Sequence, residues 1–256
     1  MAGKVSAAPA TTVKVLFGDA LEELDKLAAD GVQADAVIAD PPYCSGAISE
    51  MDRQKAKGQG LRRSSLKAGG RFAWFKGDNM GTAGIIWMLR SLGVICSRAL
   101  LKKSGSLIVF CDWRMLSNLQ PAIESSSLRF QSLIVWDKQQ IGLGRGFRAQ
   151  HELALHFTNG EPEYYDASIG NVIRTSRVSR DIQEHPTQKP VPLLRAMIRV
   201  VSPRGGLIVD PFCGSGSTGV AAVLEGRSFV GVENDEDHLR GSEERIARAV
   251  ERMGKA

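Results

Sequence analysis

The sequence predicts an α/β fold, a mostly parallel sheet with helices on both faces, and three observations predict it. Short β-branched runs alternate with helix-length amphipathic stretches. Two of the runs, Ala36 to Ala39 and Leu207 to Val209, lead directly into acidic turns. Hydrophobic residues make up 43% of the 256-residue chain, enough for one sizeable core.

Val13 to Phe17 reads as a strand ending at Gly18-Asp19, and Leu21 to Ala29 as a helix with Leu21, Leu24, Leu27 and Ala28 on one face. Ala36 to Ala39 is a strand entering Asp40-Pro41-Pro42-Tyr43. Ile85 to Lys102 predicts a long helix from its apolar positions Ile86, Leu89, Leu92, Val94, Cys96 and Leu100, weakened by Gly93. Ser106 to Cys111, Gln131 to Trp136 and Glu152 to Phe157 read as three more strands. Pro190 suits the first turn of a helix whose Leu193, Leu194, Met197, Ile198 and Val201 face the core and which stops near Pro203-Arg204-Gly205-Gly206. A compact unit follows: strand Leu207 to Val209, turn Asp210-Pro211-Phe212-Cys213-Gly214-Ser215-Gly216, helix Ser217 to Leu224, strand Ser228 to Val232 and a charged terminal helix.

Composition narrows the class further. No apolar stretch approaches the roughly 20 residues of a membrane-spanning helix, and Met1 to Thr12 lacks the apolar core of a secretory signal. The expectation is a cytoplasmic protein. Cys44, Cys96, Cys111 and Cys213 are scattered without paired metal-ligand spacing and read as reduced thiols. His151 and His156 are five apart on an expected strand, so they point to opposite faces and cannot share a metal; no metal site is expected. The net charge of +5 favours a polyanionic partner.

Two segments break the layered pattern. One, 44–78, is a long basic stretch with Arg53, Lys55, Lys57, Arg62, Arg63, Lys67 and Arg71; the other, 139–184, carries Arg145 and Arg148 beside a glycine-rich turn. Loops this long in a compact domain are functional or disordered. Their cations suit phosphates, with the strong salt dependence that follows.

The two acidic turns have complementary chemistry. An aromatic exocyclic amine is a poor nucleophile, because its lone pair is delocalised into the ring. Asp40 offers a carboxylate acceptor for that NH2, the Pro41 carbonyl offers a second one held in direction by Pro42, and Tyr43 offers a face on which an extruded base can stack. Asp-Pro-Pro is also a rigid turn in its own right. Gly214 and Gly216 let backbone approach a ligand, and Glu233 lies at the end of the next strand, at about the 20-residue separation of a ribose-binding acid. A carboxylate at Asp210 would repel a pyrophosphate but can pair with an ammonium.

On these residues the chain resembles the amino-group DNA methyltransferases, which make N6-methyladenine or N4-methylcytosine from S-adenosylmethionine (AdoMet). Because the tetrad Asp40 to Tyr43 precedes the glycine turn, it resembles their permuted β group. The resemblance implies a Rossmann-like AdoMet-dependent fold forming one catalytic domain over 13–250, with 1–12 outside it, a mobile basic loop at 44–78 and a target-recognition insertion at 139–184. It implies AdoMet contacts from Asp19, Thr187, Gln188, Lys189, Asp210, Phe212, Gly214, Ser215, Gly216, Ser217, Thr218, Glu233 and Asn234, the hexapeptide His185 to Pro190 being the element that precedes the cofactor strand. Asp19 serves equally well as a helix cap. Trp136-Asp137-Lys138 and Arg148 to Glu152 resemble segments flanking the base pocket.

The expected partner is double-stranded DNA, and members of the group often form homodimers. Asp at the first tetrad position leans towards adenine N6. Cytosine N4, methylation of RNA or a protein amide, and a DNA-binding protein without catalysis stay open as alternatives. If the Leu207 strand inserts beside the Ala36 strand, Asp40 and Asp210 emerge side by side.

Overall fold

The computed structural model describes residues 12–42, 81–142, 146–177 and 188–254. Among these, eight strands form one sheet in the order β1-β8-β7-β2-β3-β5-β4-β6. The strands are β1 (Val13–Phe17), β2 (Ala34–Ala39), β3 (Leu101–Cys111), β4 (Arg129–Asp137), β5 (His151–Thr158), β6 (Val172–Arg174), β7 (Leu207–Asp210) and β8 (Ser228–Glu233). From β1 across to β3 every pairing is parallel; β5 then runs antiparallel to β3 and to β4, and β6 lies parallel to β4. The expected neighbourhood of β7 and β2 is realised, with Ala36 opposite Ile208 and Val37 opposite Val209.

Among the described residues, six α-helices cover the sheet: α1 (Ala20–Ala29), α2 (Thr82–Ile95), α3 (Leu116–Glu124), α4 (Val191–Val201), α5 (Ser217–Leu224) and α6 (Glu236–Gly254). Strand alternation divides their cores. Val37 and Ala39 of β2 join Leu107, Val109 and Cys111 of β3 against α1, α2 and α3, whereas Ala36 and Ile38 join Ile108 and Phe110 against α4, α5 and α6. All six residues of β2 are buried, and five of them, all but Asp35, are apolar.

Local chemistry explains most boundaries. Asp19 caps α1, its Oδ1 accepting from the Leu21 and Glu22 N–H groups at 2.9 and 3.2 Å, and Gly31 ends the helix at φ 77°. Pro190 stands just before α4 and Pro192 in its first turn, where a missing N–H costs nothing. All five core residues expected of α4 are buried.

The sequence reading errs at three places. The helix expected to reach Lys102 ends at Ile95, passes through a π-turn, Cys96–Leu100, and gives way to β3 at Leu101. Just beyond this junction the β2–β3 register shifts, β2 advancing from Ala34 to Ala36 while β3 advances from Leu101 to Ser106. Helix α3 was not foreseen, because it is short and contains Pro121, yet Leu119 and Ile123 bury against the first core. β6 is a three-residue strand inside the segment read as irregular. A further correction concerns hydropathy: the helical span Thr82–Leu100 is long and apolar enough to cross a membrane, at a mean hydropathy of 1.4. It lies on the sheet, burying Ile85, Leu89, Leu92, Cys96 and Leu100.

At the amino edge of the sheet, Asp35 accepts from the Lys102 ammonium at 2.7 Å and from the Leu207 N–H at 2.8 Å, tying β2 to β3 and β7 at once. Lys102 is half exposed, so the ion pair itself is screened. Asp35→Ala, which leaves the Leu207 N–H without its acceptor, should lower stability by about 1–3 kcal/mol. Denaturant unfolding measures it, and a change under about 0.5 kcal/mol would remove Asp35 from this role.

Candidate active site

β2 and β7 are parallel neighbours, so the turns that follow them leave from one edge. Asp40 and Asp210 both line an open cleft there, together with Ile38, Phe110 and residues of the glycine turn. This is where ligands bind in open parallel sheets, at the carboxyl ends of strands where the winding reverses.

The glycine turn is fixed from three directions. Cys213 N–H donates to the Val232 carbonyl at 2.9 Å, and Gly216 N–H closes back on the Cys213 carbonyl at 2.8 Å. Glu233 accepts from Gly214 N–H at 2.7 Å through Oε2, and from Asn234 and Asp235 N–H at 2.9 and 3.0 Å through Oε1. That uses three of a carboxylate's roughly four acceptor positions and leaves one for a ligand hydroxyl. From α6, Arg245 Nη1 reaches the Ser215 carbonyl at 2.8 Å and the Ser215 and Ser217 hydroxyls at 3.1 and 3.0 Å. The sequence offered no sign of this clamp, since Arg245 sits among many charges on a helix that reads as solvated. Gly216 has φ 72°, and a Cβ there would lie 3.0 Å from that of Ser242.

Asp210 is buried, and its carboxyl is pushed up to about 7, first by loss of water and then by the Asp40 and Glu233 carboxylates. Hydrogen bonds from Thr218 and from the Phe212 N–H at 2.9 Å oppose the shift. A buried acid of this kind is stabilised as an anion by a cationic partner.

Across the cleft, Lys189 Nζ lies 2.5 Å from Asp40 Oδ2 and 3.5 Å from Glu152 Oε2, and 4.9 Å from the Phe110 ring centroid. Glu152 Oε1 in turn accepts from Lys138, whose ammonium sits 5.1 Å above Trp136. Burial alone would discharge Lys189, but the Asp40 and Glu152 carboxylates outweigh it and hold its pKa above the ordinary lysine value. Glu152 is drawn below the usual carboxylate range: burial opposes ionisation, and Lys189 and Lys138 overcome it. Sequence reading assigned Lys189 to the cofactor; the structure lines the cleft with it but engages its ammonium with Asp40 and Glu152.

The remaining expected residues fall as follows. Gln188, Phe212, Ser215, Ser217 and Thr218 line the cleft. Asp19 caps α1 on the same edge, where the Gly18 N–H donates to the Glu233 carbonyl at 3.0 Å. Asn234 is exposed just beyond β8, and Arg148 is exposed in the β4–β5 connection. Trp136 is buried, its indole N–H donating to the Thr175 carbonyl at 2.7 Å. Tyr43, Arg53, Lys55, Lys57, Arg62, Arg63, Lys67, Arg71, Arg145 and Thr187 lie outside the described residues, as do His185 and Pro186. The connections leaving Pro42, Gly142 and Arg177 spring from the edge that holds the cleft. His156 is buried against Ser106 Oγ at 3.0 Å, its pKa pulled down to about 4 by burial, and no group of three metal-ligating side chains occurs among the described residues.

Residues 34–244 match the N6/N4 methyltransferase family model, described as DNA methylase. The type II methyltransferase M2.DpnII of Streptococcus pneumoniae is 28% identical over 246 residues, covering 91% of this chain and 88% of that protein. The M1.HpyAVI–SAM complex has a similar structure, with a TM-score of 0.65 at 20% identity, covering 91% of this chain and all of that one. The cytosine-N4-specific PvuII DNA methyltransferase has a TM-score of 0.63 at 17% identity over 94% of this chain and 92% of its own.

Gly216→Ala should destabilise the fold by about 1–2 kcal/mol from its left-handed backbone alone, with the Ser242 contact adding to it. Denaturant unfolding reads the loss. A variant as stable as the parent would mean that the turn adopts another conformation.

Proposed function

Because the chain belongs to the N6/N4 family of DNA methylases, we propose that it transfers a methyl group from AdoMet to the N6 amine of an adenine in DNA. The observation that carries this reading is the pair of acidic turns on β2 and β7, with Asp40 and Asp210 lining one cleft although they are remote in sequence. The cleft suits AdoMet: Gly214 lines it beside Ser215 and Thr218, and the buried Asp210 carboxylate calls for a cation such as the cofactor's ammonium. The acceptor position left on Glu233 suits a ribose hydroxyl. Bound AdoMet supplies an electrophilic methyl carbon.

Asp40 Oδ1 and the Pro41 carbonyl accept the two protons of the target amine, which localises its lone pair on nitrogen and aims it across the cleft. With AdoMet bound, the nitrogen would bond to the methyl carbon as the carbon–sulfur bond breaks, its electron pair leaving on sulfur as a neutral thioether, and Asp40 or water would take the surplus amine proton. The adenine reaches this edge only after leaving the base stack, at a cost of a few kcal/mol. Stacking on Tyr43 and phosphate contacts from 44–78 and 139–184 offset that cost. What favours adenine is Asp40 at the first position of the tetrad.

Incubating the protein with unmethylated DNA and labelled AdoMet, then digesting to nucleosides for mass spectrometry, should yield N6-methyladenine. N4-methylcytosine would replace adenine by cytosine as the target, and no product on varied DNA with AdoMet still bound would overturn the reading. Asp40→Ala should retain AdoMet binding and lose at least about 10²-fold in turnover, as when one preorganised polar group is removed from a transition state.

Asp210 provides a pH test. Its folded pKa lies above its unfolded one, so between about 4 and about 7 the folded state holds a proton that the unfolded chain lacks, and stability falls as pH rises through that window. Ammonium binding needs the ionised form. AdoMet affinity of the parent, relative to that of Asp210→Asn, should rise about tenfold from about pH 6 to about pH 8. Parallel profiles in calorimetry would detach Asp210 from the cofactor.

A further inference from the structure

The cleft crowds anions on one edge: Asp40 after β2, Asp210 at the end of β7, Glu152 at the start of β5 and Glu233 at the end of β8. Only one cation, Lys189, is buried between two of these carboxylates among the described residues. Its ammonium contacts Oδ2 of Asp40, and both residues line the cleft. Glu152 Oε2 approaches the same ammonium to 3.5 Å, so Asp40 and Glu152 share one buried cation. Lys138 answers Glu152 from just beyond β4, where its own N–H closes the β4–β5 connection on the Gln150 carbonyl at 2.9 Å. The result is a row of alternating charge, Lys138, Glu152, Lys189, Asp40, lying over the rings of Trp136 and Phe110.

We propose that Lys189 is a positioning residue that holds Asp40 ionised and directed at the target amine, and that Glu152, itself held by Lys138, sets how strongly Lys189 does so. This rests on the reading of Asp40 as the acceptor of that amine. A carboxyl beside buried Asp210 and Glu152 would take up a proton without an adjacent cation, and a protonated Asp40 offers the amine a donor where an acceptor is needed. A buried ion row is costly to assemble and costlier to break at one member, so each link is sensitive to loss of its neighbour.

Among the described residues, the charged groups that face Asp40 and Lys189 include Glu152 from β5, Lys138 from the β4 end, Asp210 from β7 and, through Asp210, Glu233 from β8; Arg177 faces Lys138. The two ends of the row therefore predict shifts of opposite sign. Lys189→Met leaves Asp40 among anions and should raise the acidic limb of the single-turnover rate by about one pH unit or more, with the rate recovering at alkaline pH. Lys189→Arg should restore the parental limb. Glu152→Gln commits Lys189 to Asp40 and should lower the limb.

The experiment is the pH profile of single-turnover methylation on DNA for these variants, each with its AdoMet affinity measured by calorimetry. Opposite shifts from Lys189→Met and Glu152→Gln support the proposal. Profiles merely scaled from the parent, or moved in the same direction, overturn it. If Lys189→Met does not fold, Glu152→Gln decides alone, and an unchanged or raised limb overturns the proposal. An Asp40→Ala variant with parental activity would sink the reading of the site itself, a result distinct from any failure of the ion row.

Discussion

The pairing of β2 with β7 is the constraint on which the rest depends. Ala36 and Val37 lie opposite Ile208 and Val209, and this short ladder brings together two turns separated by most of the chain. Every other feature of the site is built on that registration: the cleft between the turns, the proximity of Asp40 to Asp210, and the access of Lys189 to Asp40. The alternation of β2 between two cores makes the register costly to change, because a slip by one residue would exchange the faces served by Val37 and Ile38.

Electrostatics gives the two halves of the cleft different characters. On the β7 and β8 side, Glu233 accepts three backbone N–H groups and acts as a fixed frame for the glycine turn, while Asp210 is starved of water and poised near neutrality. On the β2 and β5 side, the carboxylates are held by lysines. Two acids of similar type thus differ in readiness to ionise because Asp210 faces the Asp40 and Glu233 carboxylates, whereas Glu152 has Lys189 and Lys138 against it.

How much was legible in the sequence follows from the range of the physics involved. Helices α4 and α5 declare themselves through nearest neighbours: Pro190 and Pro192 mark one start, and apolar spacing marks the buried face. The tetrad and the glycine turn were legible because each is a contiguous motif whose chemistry is local. The end of α2 was not, since apolar periodicity continues through Cys96 and Leu100 while the chain is already turning into β3. Pro121 concealed α3. Least visible were pairings set by tertiary structure: Lys189 reaches Asp40 across 149 positions, and Arg245 reaches Ser215 across 30. A lysine in a cofactor motif and an arginine in a charged helix give no local hint of such partners.

The connections leaving Pro42, Gly142 and Arg177 all rise from the edge that carries the cleft, whereas the pairings that set its geometry lie within the sheet below. The ladder that joins the strands carrying Asp40 and Asp210 rests on Ala36, Val37, Ile208 and Val209, none of which belongs to the segments that follow Pro42, Gly142 and Arg177, so the length of those segments and the placing of the two acids are separate heritable characters.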